Sequence, residues 1–212
     1  MTQWSFWAMG TAVLLAVAGS RAGGQSPADA AAVAKARADS ARLPYTAADV
    51  QFMQGMIHHH AQAIVMSRWA PTHGASPSVE TLSARIINSQ QDEIATMGQW
   101  LRNRHQPVPD TSASGMMMMG GHQMLMPGML TQEQLAQLDA ARGREFDRLF
   151  LTFMIQHHTG AVTMVHDLFE TEGAGQDEKV FKFASDVNVD QTTEIARMKK
   201  MLFVLTFQGP PQ

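Results

Sequence analysis

The chain has 212 residues, and its 16 basic and 19 acidic side chains give a net charge of −3 without a basic footprint, so nucleic acid is not an expected partner. The length is enough for one domain with a full core, and the few aromatic residues, with a single tyrosine, disfavour a sheet protein. Because cysteine is absent, disulfides, thiolate metal sites and thiol catalysis are excluded, whereas 17 methionines and nine histidines stand out.

The N-terminus has features of an export signal. The first 20 residues carry no charge, and residues 6–18 form an apolar run too short to span a membrane comfortably. Small residues follow, with candidate cleavage sites near Ala18 and Ala22, although the usual positive start is missing. We therefore predict a signal peptide over residues 1–22, export to the periplasm or the outside of the cell, and a flexible leader over residues 23–45. An uncleaved N-terminal anchor, the one membrane contact expected, is the alternative.

Two long amphipathic helices are predicted in the first part of the folded body, residues 46–207. A capping-box pattern starts the first helix at Thr46, and Pro71 lies where it ends. The second helix starts with Ser76 as its N-cap and ends near Arg104. These two helices form repeat one, residues 46–104.

Residues 105–130 are predicted to be a long, methionine-rich crossover. The stretch from Met116 to Met129 holds seven methionines and one histidine, and its glycines and prolines argue against regular structure. Two more helices follow in repeat two, residues 131–207, with a second capping box at Thr131 and a break at Gly143. The pattern predicts an all-α protein, a four-helix bundle built from two helical hairpins.

The two hairpins are copies of one unit. Residues 49–66 recur 98 positions later as residues 147–164, and the recurring positions are polar and soft-ligand residues as well as apolar ones. On a helical wheel, one stripe of the first copy carries the phenylalanine, two methionines and a histidine of the motif, with a second histidine beside it. The second helix of each hairpin repeats the glutamine, glutamate and methionine at Gln90, Glu93 and Met97.

The repeated histidines and methionines are candidate metal ligands. Met56 lies one helical turn from His59 and His60, so a thioether and an imidazole can meet one ion. Met66 lies about 10 Å further along the helix axis, so it needs its own site or partners from another helix, such as Met97 or Met198. The ordinary alternative is that these side chains only pack in the core.

Ligand softness selects the metal. Imidazole suits several transition metals, whereas thioether selects Cu(I) and similar soft ions such as Ag(I). An exported, thiol-free chain rich in methionine therefore predicts copper, with metal ions and a copper-delivery or export protein as partners. His58 is a weaker candidate because Gln156 stands at its repeat position. The crossover adds candidates that a disordered linker would explain equally well: Met116, Met117, Met118, Met119, His122, Met124, Met126 and Met129.

A di-iron oxidoreductase is the competing interpretation. Glu93, Glu194, Asp49 and Asp147 are also repeated, and di-iron bundles bind metal through carboxylates. The sequence, however, contains no Glu-x-x-His motif, so iron is less favoured than copper. A third interpretation is a structural or adaptor bundle without metal. No nucleophile–base pair and no glycine-rich phosphate loop is present, so no enzymatic reaction is predicted.

The pattern FxxxMIxHHxxAxxM, present at 52–66 and 150–164, resembles a bacterial family catalogued as domain of unknown function 305. The QxxEIxxM segments and the MPGMLTQEQL stretch fit as well, so the resemblance covers about residues 47–205. It implies a ferritin-like four-helix bundle, usually exported, with some members associated with periplasmic copper or silver binding and metal tolerance. The matching ligand positions are Met56, His59, His60, Met66, Met97, Met154, His157, His158, Met164 and Met198.

Overall fold

The structure is a computed structural model that describes residues 45–111 and 126–207, together with the backbone of two strands between them. Met1–Ala36 form a unit of their own, of which only residues 27, 30–33 and 35 are described, all in α-helix. The predicted signal peptide and most of the predicted leader therefore lie outside the described residues.

Helices dominate the described chain, as predicted. The elements are α1 (Ala47–Arg68), α2 (Pro77–Arg102), β1 (Met116–Met119), β2 (His122–Leu125), α3 (Gln132–Ala140), α4 (Gly143–Glu170) and α5 (Glu178–Phe207). Among the helices of the described residues, none is both long and apolar enough to cross a membrane. The all-α prediction is confirmed for the folded body.

The crossover departs from the prediction. We expected no regular structure there, but β1 and β2 form an antiparallel hairpin. The expectation was wrong because the glycines were taken as interruptions of any regular element. The two strands pair from Met116–Leu125 to Met119–His122, and a pair of glycines between two runs of a sequence can equally indicate a hairpin.

The predicted helix starts are present. The Thr46 side chain accepts a hydrogen bond from the Asp49 N–H, and the Asp49 carboxylate accepts one from the Thr46 N–H, which completes a capping box. Thr131 begins α3 in the same way. The predicted break at Gly143 is also observed: its φ of 56° suits glycine, and its N–H donates to the carbonyl of His73 at 2.8 Å.

Four long helices share two apolar cores. Helix α1 packs along α2, α4 packs along α5, and the two hairpins meet mainly through α1 and α4. Each core takes residues from all four helices: the first around Met53 and Leu101, the second around Phe150 and Leu82. On α1 and on α4, the repeated histidines lie between the stretch that contributes to the first core and the stretch that contributes to the second. We interpret this arrangement as the predicted bundle of two hairpins.

The repeated aspartates join the hairpins. Asp49 of α1 accepts a hydrogen bond from the N–H of Gly175, in the α4–α5 turn, at 2.7 Å. Asp147 of α4 accepts one from the N–H of Ser76, in the α1–α2 turn, at 3.1 Å. Both side chains are buried, and a hydrogen bond to a charged group contributes about 1.5–3 kcal/mol. Each hairpin thus binds the turn of the other, which sets how α1 and α4 face each other.

Candidate metal centre

The four repeated histidines come together in the interior. His59 and His60 on α1, and His157 and His158 on α4, are all 0% exposed. The rings of His59 and His157 meet at the contact between the hairpins, with centroids 3.8 Å apart and planes tilted by 40°. The helical repeat therefore brings equivalent histidines of the two copies next to each other.

Two of these rings are held by glutamates. Nε2 of His60 lies 2.5 Å from the carboxylate of Glu93 on α2, and Nε2 of His158 lies 2.8 Å from that of Glu194 on α5. A carboxylate only accepts hydrogen bonds, so each Nε2 carries a proton, and in the neutral tautomer of such a ring the lone pair is at Nδ1. Within the described residues, neither Nδ1 atom has a hydrogen-bond partner.

His59 is held by the crossover instead. Its Nε2 lies 3.0 Å from the carbonyl oxygen of Pro127, which can only accept, so the lone pair is again at Nδ1. That Nδ1, too, has no partner in the part of the chain that the structure describes. We call the Nδ1 atoms of His59, His60 and His158 the open nitrogens. His157 differs, because neither of its ring nitrogens is hydrogen-bonded to a described residue.

Burial keeps His59 and His157 uncharged. Desolvation, followed by the neighbouring rings of His60 and His158, lowers the pKa of His59 to about 3, although the Pro127 carbonyl opposes this. Burial is also the largest cause that lowers the pKa of His157, and the other three imidazoles lower it further. Both rings are therefore neutral near pH 7, the state in which an imidazole can bind a metal.

Two glutamines complete the polar interior. Gln90 and Gln191 are buried one helical turn before Glu93 and Glu194, respectively. Among the residues described, no partner is found for either side-chain polar atom of Gln90 or for Oε1 of Gln191. A buried polar atom without a partner costs about 1–3 kcal/mol, so a cluster of several requires an explanation beyond packing.

The repeated methionines divide between the two cores. Met56, Met97 and Met164 belong to the first core, and Met66, Met154 and Met198 belong to the second. Each core thus combines two motif methionines from one hairpin with one from the other. The sequence left two partners open for Met66, and the structure places it in the same core as Met198 rather than Met97.

The end of the crossover covers His59. Residues 126–130, which we call the covering segment, cross α4 so closely that a Cβ on Gly160 would lie 1.9 Å from the Pro127 oxygen. On the α1 side, Gln62 accepts from the Leu130 N–H at 2.7 Å and donates to its carbonyl at 3.1 Å. Only a residue without a side chain fits at position 160, so the glycine brings the Pro127 carbonyl to His59.

The covering segment makes the two repeats unequal. Gln156 of α4 donates to the Gly128 carbonyl at 3.3 Å and accepts from Gln134 at 3.1 Å. Its counterpart His58 is half-buried, and burial, opposed by Asp110, lowers its pKa. The Nδ1 of His58 is also buried without a hydrogen-bond partner among the described residues, so its lower rank as a candidate ligand stays a prediction.

The crossover methionines also divide into two groups. Met126 and Met129 are buried in the covering segment, where they anchor it to the helices. The side chains of Met116, Met117, Met118, Met119, His122 and Met124 lie outside the described residues, so their predicted role as ligands stays a prediction. For the described part of the chain, no three His, Asp or Glu side chains are placed to hold one metal ion.

Sequence reasoning missed the contribution of the covering segment. Pro127 was not a candidate because a backbone carbonyl carries no residue-specific signal. The signal that could have found it is the departure from the repeat, since Gly160 stands where the first copy has Gln62. A glycine inside a helix pattern often marks the close approach of another backbone.

The fold and the site define a protein of two helical hairpins with a buried histidine centre. The chain belongs to the family described as Domain of unknown function (DUF305), whose model matches residues 49–202. Over a quarter of its length it is 43% identical to the uncharacterized protein L153 of Acanthamoeba polyphaga mimivirus, and that match spans 37% of the viral protein.

Solved structures are similar to about three quarters of this chain. A DUF305 fragment from Deinococcus radiodurans is similar with a TM-score of 0.62 and 27% identity, over 75% of this chain and 97% of that one. CopM in its Cu(II)-bound form is similar with a TM-score of 0.57 and 32% identity, over 73% of this chain and 95% of that one. CopM is also known in Cu(I)-bound and Ag-bound forms.

Proposed function

We propose that this protein is exported and binds Cu(I), and also Ag(I), through the histidines and methionines of its repeated motif, so as to sequester the ion or pass it on. The observation that carries the proposal is the set of open nitrogens. Three imidazoles are buried, each is fixed through Nε2 by an oxygen acceptor, and each presents Nδ1 to the interior. Metal-binding histidines are commonly oriented in this way by a carboxylate or carbonyl on the second ring nitrogen.

The surrounding chemistry favours a soft ion. The soft donors that the two cores supply are thioethers, half-buried at Met164 and buried at the other positions: Met56, Met97, Met164, Met66, Met154 and Met198. Imidazole and thioether together suit Cu(I) and Ag(I) better than ions that prefer oxygen. Carboxylates are scarcer at the centre, and Glu93 and Glu194 already accept hydrogen bonds from histidines. Asp49 and Asp147, the other repeated acids, bind backbone N–H groups at the turns.

The comparisons support the same choice of metal. CopM, which shares the fold, is known with Cu(I), Cu(II) and silver bound. Export is supported by the signal-like N-terminus and by a structural neighbour from Streptomyces coelicolor that is described as a candidate secreted protein, with 25% identity and a TM-score of 0.62. In this setting a protein that holds Cu(I) would protect the cell from the metal or deliver it to a second protein.

The test is an anaerobic titration of the full chain with Cu(I) against a competing chelator. The variant H157A/H158A should lose affinity for Cu(I), because it removes half of the inner imidazoles. The matched control is H166A, an exposed histidine two turns further along the same helix, which should bind as the parent does. Circular dichroism of each apo-protein checks that the fold is kept.

Three outcomes separate the interpretations. Equal Cu(I) affinity and stoichiometry in parent, H157A/H158A and H166A would refute the helical site. A preference for Fe(II) over Cu(I), with oxygen consumption after iron loading, would favour the di-iron interpretation and the carboxylates of Glu93 and Glu194. No retained metal and no thermal shift with any of these ions would leave a bundle in which histidine and methionine only pack.

A further inference from the structure

An open groove with a volume of about 1030 Å³ lies on the outside of the helices, away from the histidine centre. Its walls are the first turns of α2, the first turns of α4 and the last turns of α5. Three apolar side chains form its floor: Val79 and Leu151, which are buried, and Met201, which is half-buried. The groove can therefore receive an apolar ligand group.

The charged side chains exposed along the groove are positive. They are Arg144, Arg197 and Lys200, so we call this the basic groove. Among its described lining residues the acid is Asp147, which is buried and accepts a hydrogen bond from the Ser76 N–H at 3.1 Å. The chain as a whole has a net charge of −3, but residues 195–207 contain three basic side chains and no acidic one. The basic groove thus attracts anions in spite of the net charge.

The repeat supplies a second groove for comparison. It lies between the last turns of α2 and the first turns of α5, and its volume is about 600 Å³. There the indole of Trp100 donates to Asp177 at 3.1 Å, and Arg104 forms an ion pair with the same carboxylate. The residues at the corresponding positions of the basic groove are Met201, Ser76 and Leu205. They cannot form this ion pair, and the basic groove is the larger of the two.

Aromatic side chains protrude next to the basic groove. Phe203 and Phe207 lie one turn apart at the end of α5, are 58% and 73% exposed, and have ring centroids 4.9 Å apart. Exposed apolar residues beside basic ones on a helix are typical of segments that bind a membrane surface. Two rings that project from a helix end insert readily into lipid, whereas a folded acidic protein would need a matching cavity for them. The bilayer is therefore the favoured occupant.

We propose that the basic groove and the last turns of α5 dock this protein on a membrane that contains anionic phospholipids. The phosphate groups bind Arg144, Arg197 and Lys200, and the apolar floor receives the upper part of one acyl chain. Phe203 and Phe207 insert among the neighbouring lipids. None of the candidate metal ligands lines the groove, so docking goes beyond the proposed function and does not depend on bound metal.

The test is sedimentation of the full chain with vesicles in the presence of a metal chelator. The parent should bind vesicles of phosphatidylglycerol and phosphatidylcholine in equal parts, less so as salt is added, and bind phosphatidylcholine alone weakly. R197Q/K200Q should lower the partition coefficient by about tenfold or more. The matched control K179Q/K182Q removes the same charge from the second groove and should bind as the parent does. Equal losses in the two variants would overturn the proposal, because they would show attraction without a defined site.

A second pair of variants tests insertion of the rings. F203S/F207S should also reduce vesicle binding, whereas F181S, which changes a ring that is 57% exposed near the start of α5, should not. Circular dichroism of each variant checks that the helices are kept. Unchanged binding of both F203S/F207S and R197Q/K200Q, as an uncleaved N-terminal anchor would give, would refute docking through this surface. Failure of the parent to bind anionic vesicles would also refute it and would favour an acidic protein partner.

Discussion

Removing Glu93 and Glu194 should weaken metal binding, although in our proposal neither carboxylate touches the ion. Each accepts a hydrogen bond from Nε2 of a fully buried histidine, at 2.5 Å from His60 and 2.8 Å from His158. In E93A/E194A the acceptors are lost, so each ring can change tautomer and its Nδ1 no longer presents a fixed lone pair. We expect the affinity for Cu(I) to fall.

The structure bounds the size of this loss. A hydrogen bond to a charged group contributes about 1.5–3 kcal/mol, which corresponds to about 10- to 100-fold in a binding constant. Loss of the group behind a metal-bound histidine has effects in the same range. The side chains of Glu93 and Glu194 are 17% and 16% exposed, so water screens them in part. We therefore expect the lower end, about tenfold for each glutamate.

Glutamine variants separate geometry from charge. E93Q/E194Q keeps a carbonyl oxygen that can accept from Nε2, so it should lose less affinity than E93A/E194A. The control is D92A, which removes an exposed carboxylate from the same helix and should leave binding unchanged. The assay is anaerobic competition for Cu(I), with thermal unfolding of each apo-protein. If E93A/E194A bound as tightly as the parent, or if the glutamine variant lost as much as the alanine variant, the reasoning from tautomers would be refuted.

Three further predictions concern stability and the covering segment. G160A should displace the covering segment, since a Cβ there would lie 1.9 Å from the Pro127 oxygen. The backbone amides of that segment should then exchange hydrogen faster than in the parent. Unchanged protection of these amides would contradict the prediction. D147A leaves the Ser76 N–H without its acceptor and should lower the free energy of unfolding in urea by about 1–3 kcal/mol, with no change expected in the exposed control D167A. His59 has a pKa of about 3 in the folded protein against 6.5 when unfolded, so the unfolded state binds more protons between these values. The contribution of His59 to the free energy of unfolding is thus fully present above pH 6.5 and falls at lower pH, by about 2 kcal/mol at pH 5. In urea unfolding at several pH values, H59Q should reduce this dependence of the free energy of unfolding on pH. An unchanged dependence would contradict the prediction.

The repeat made much of the centre predictable. A histidine pair at the same position in two copies of one helix must occupy equivalent places when the copies pack face to face, and His59 and His157 do so. The histidines and methionines could be predicted as candidate metal ligands because they recur at helical spacing. The helix starts at Thr46 and Thr131 were also predictable from the sequence, because a capping box depends on only four neighbouring residues.

What escaped prediction depends on contacts between distant segments. The acceptor for His59 is a backbone carbonyl 68 positions away, and any residue at Pro127 would carry one. Whether Met66 packs in the first or the second core depends on how far the two hairpins are shifted along each other. A helical wheel of one hairpin does not predict this shift. The register of the β1–β2 hairpin was hidden because its glycines were judged by their effect on helices and loops.

The covering segment explains why a duplicated site is not a symmetric one. Two copies of one hairpin supply equivalent pairs of inner histidines, but a single chain has only one crossover, and it can lie over one side of the centre. Its passage requires Gly160 in the second copy, whereas Gln62 at the equivalent position of the first copy binds Leu130. As a result His59 has a carbonyl acceptor and His157 has no hydrogen-bond partner among the described residues. The inequality between the two halves is therefore a direct consequence of joining them in one chain.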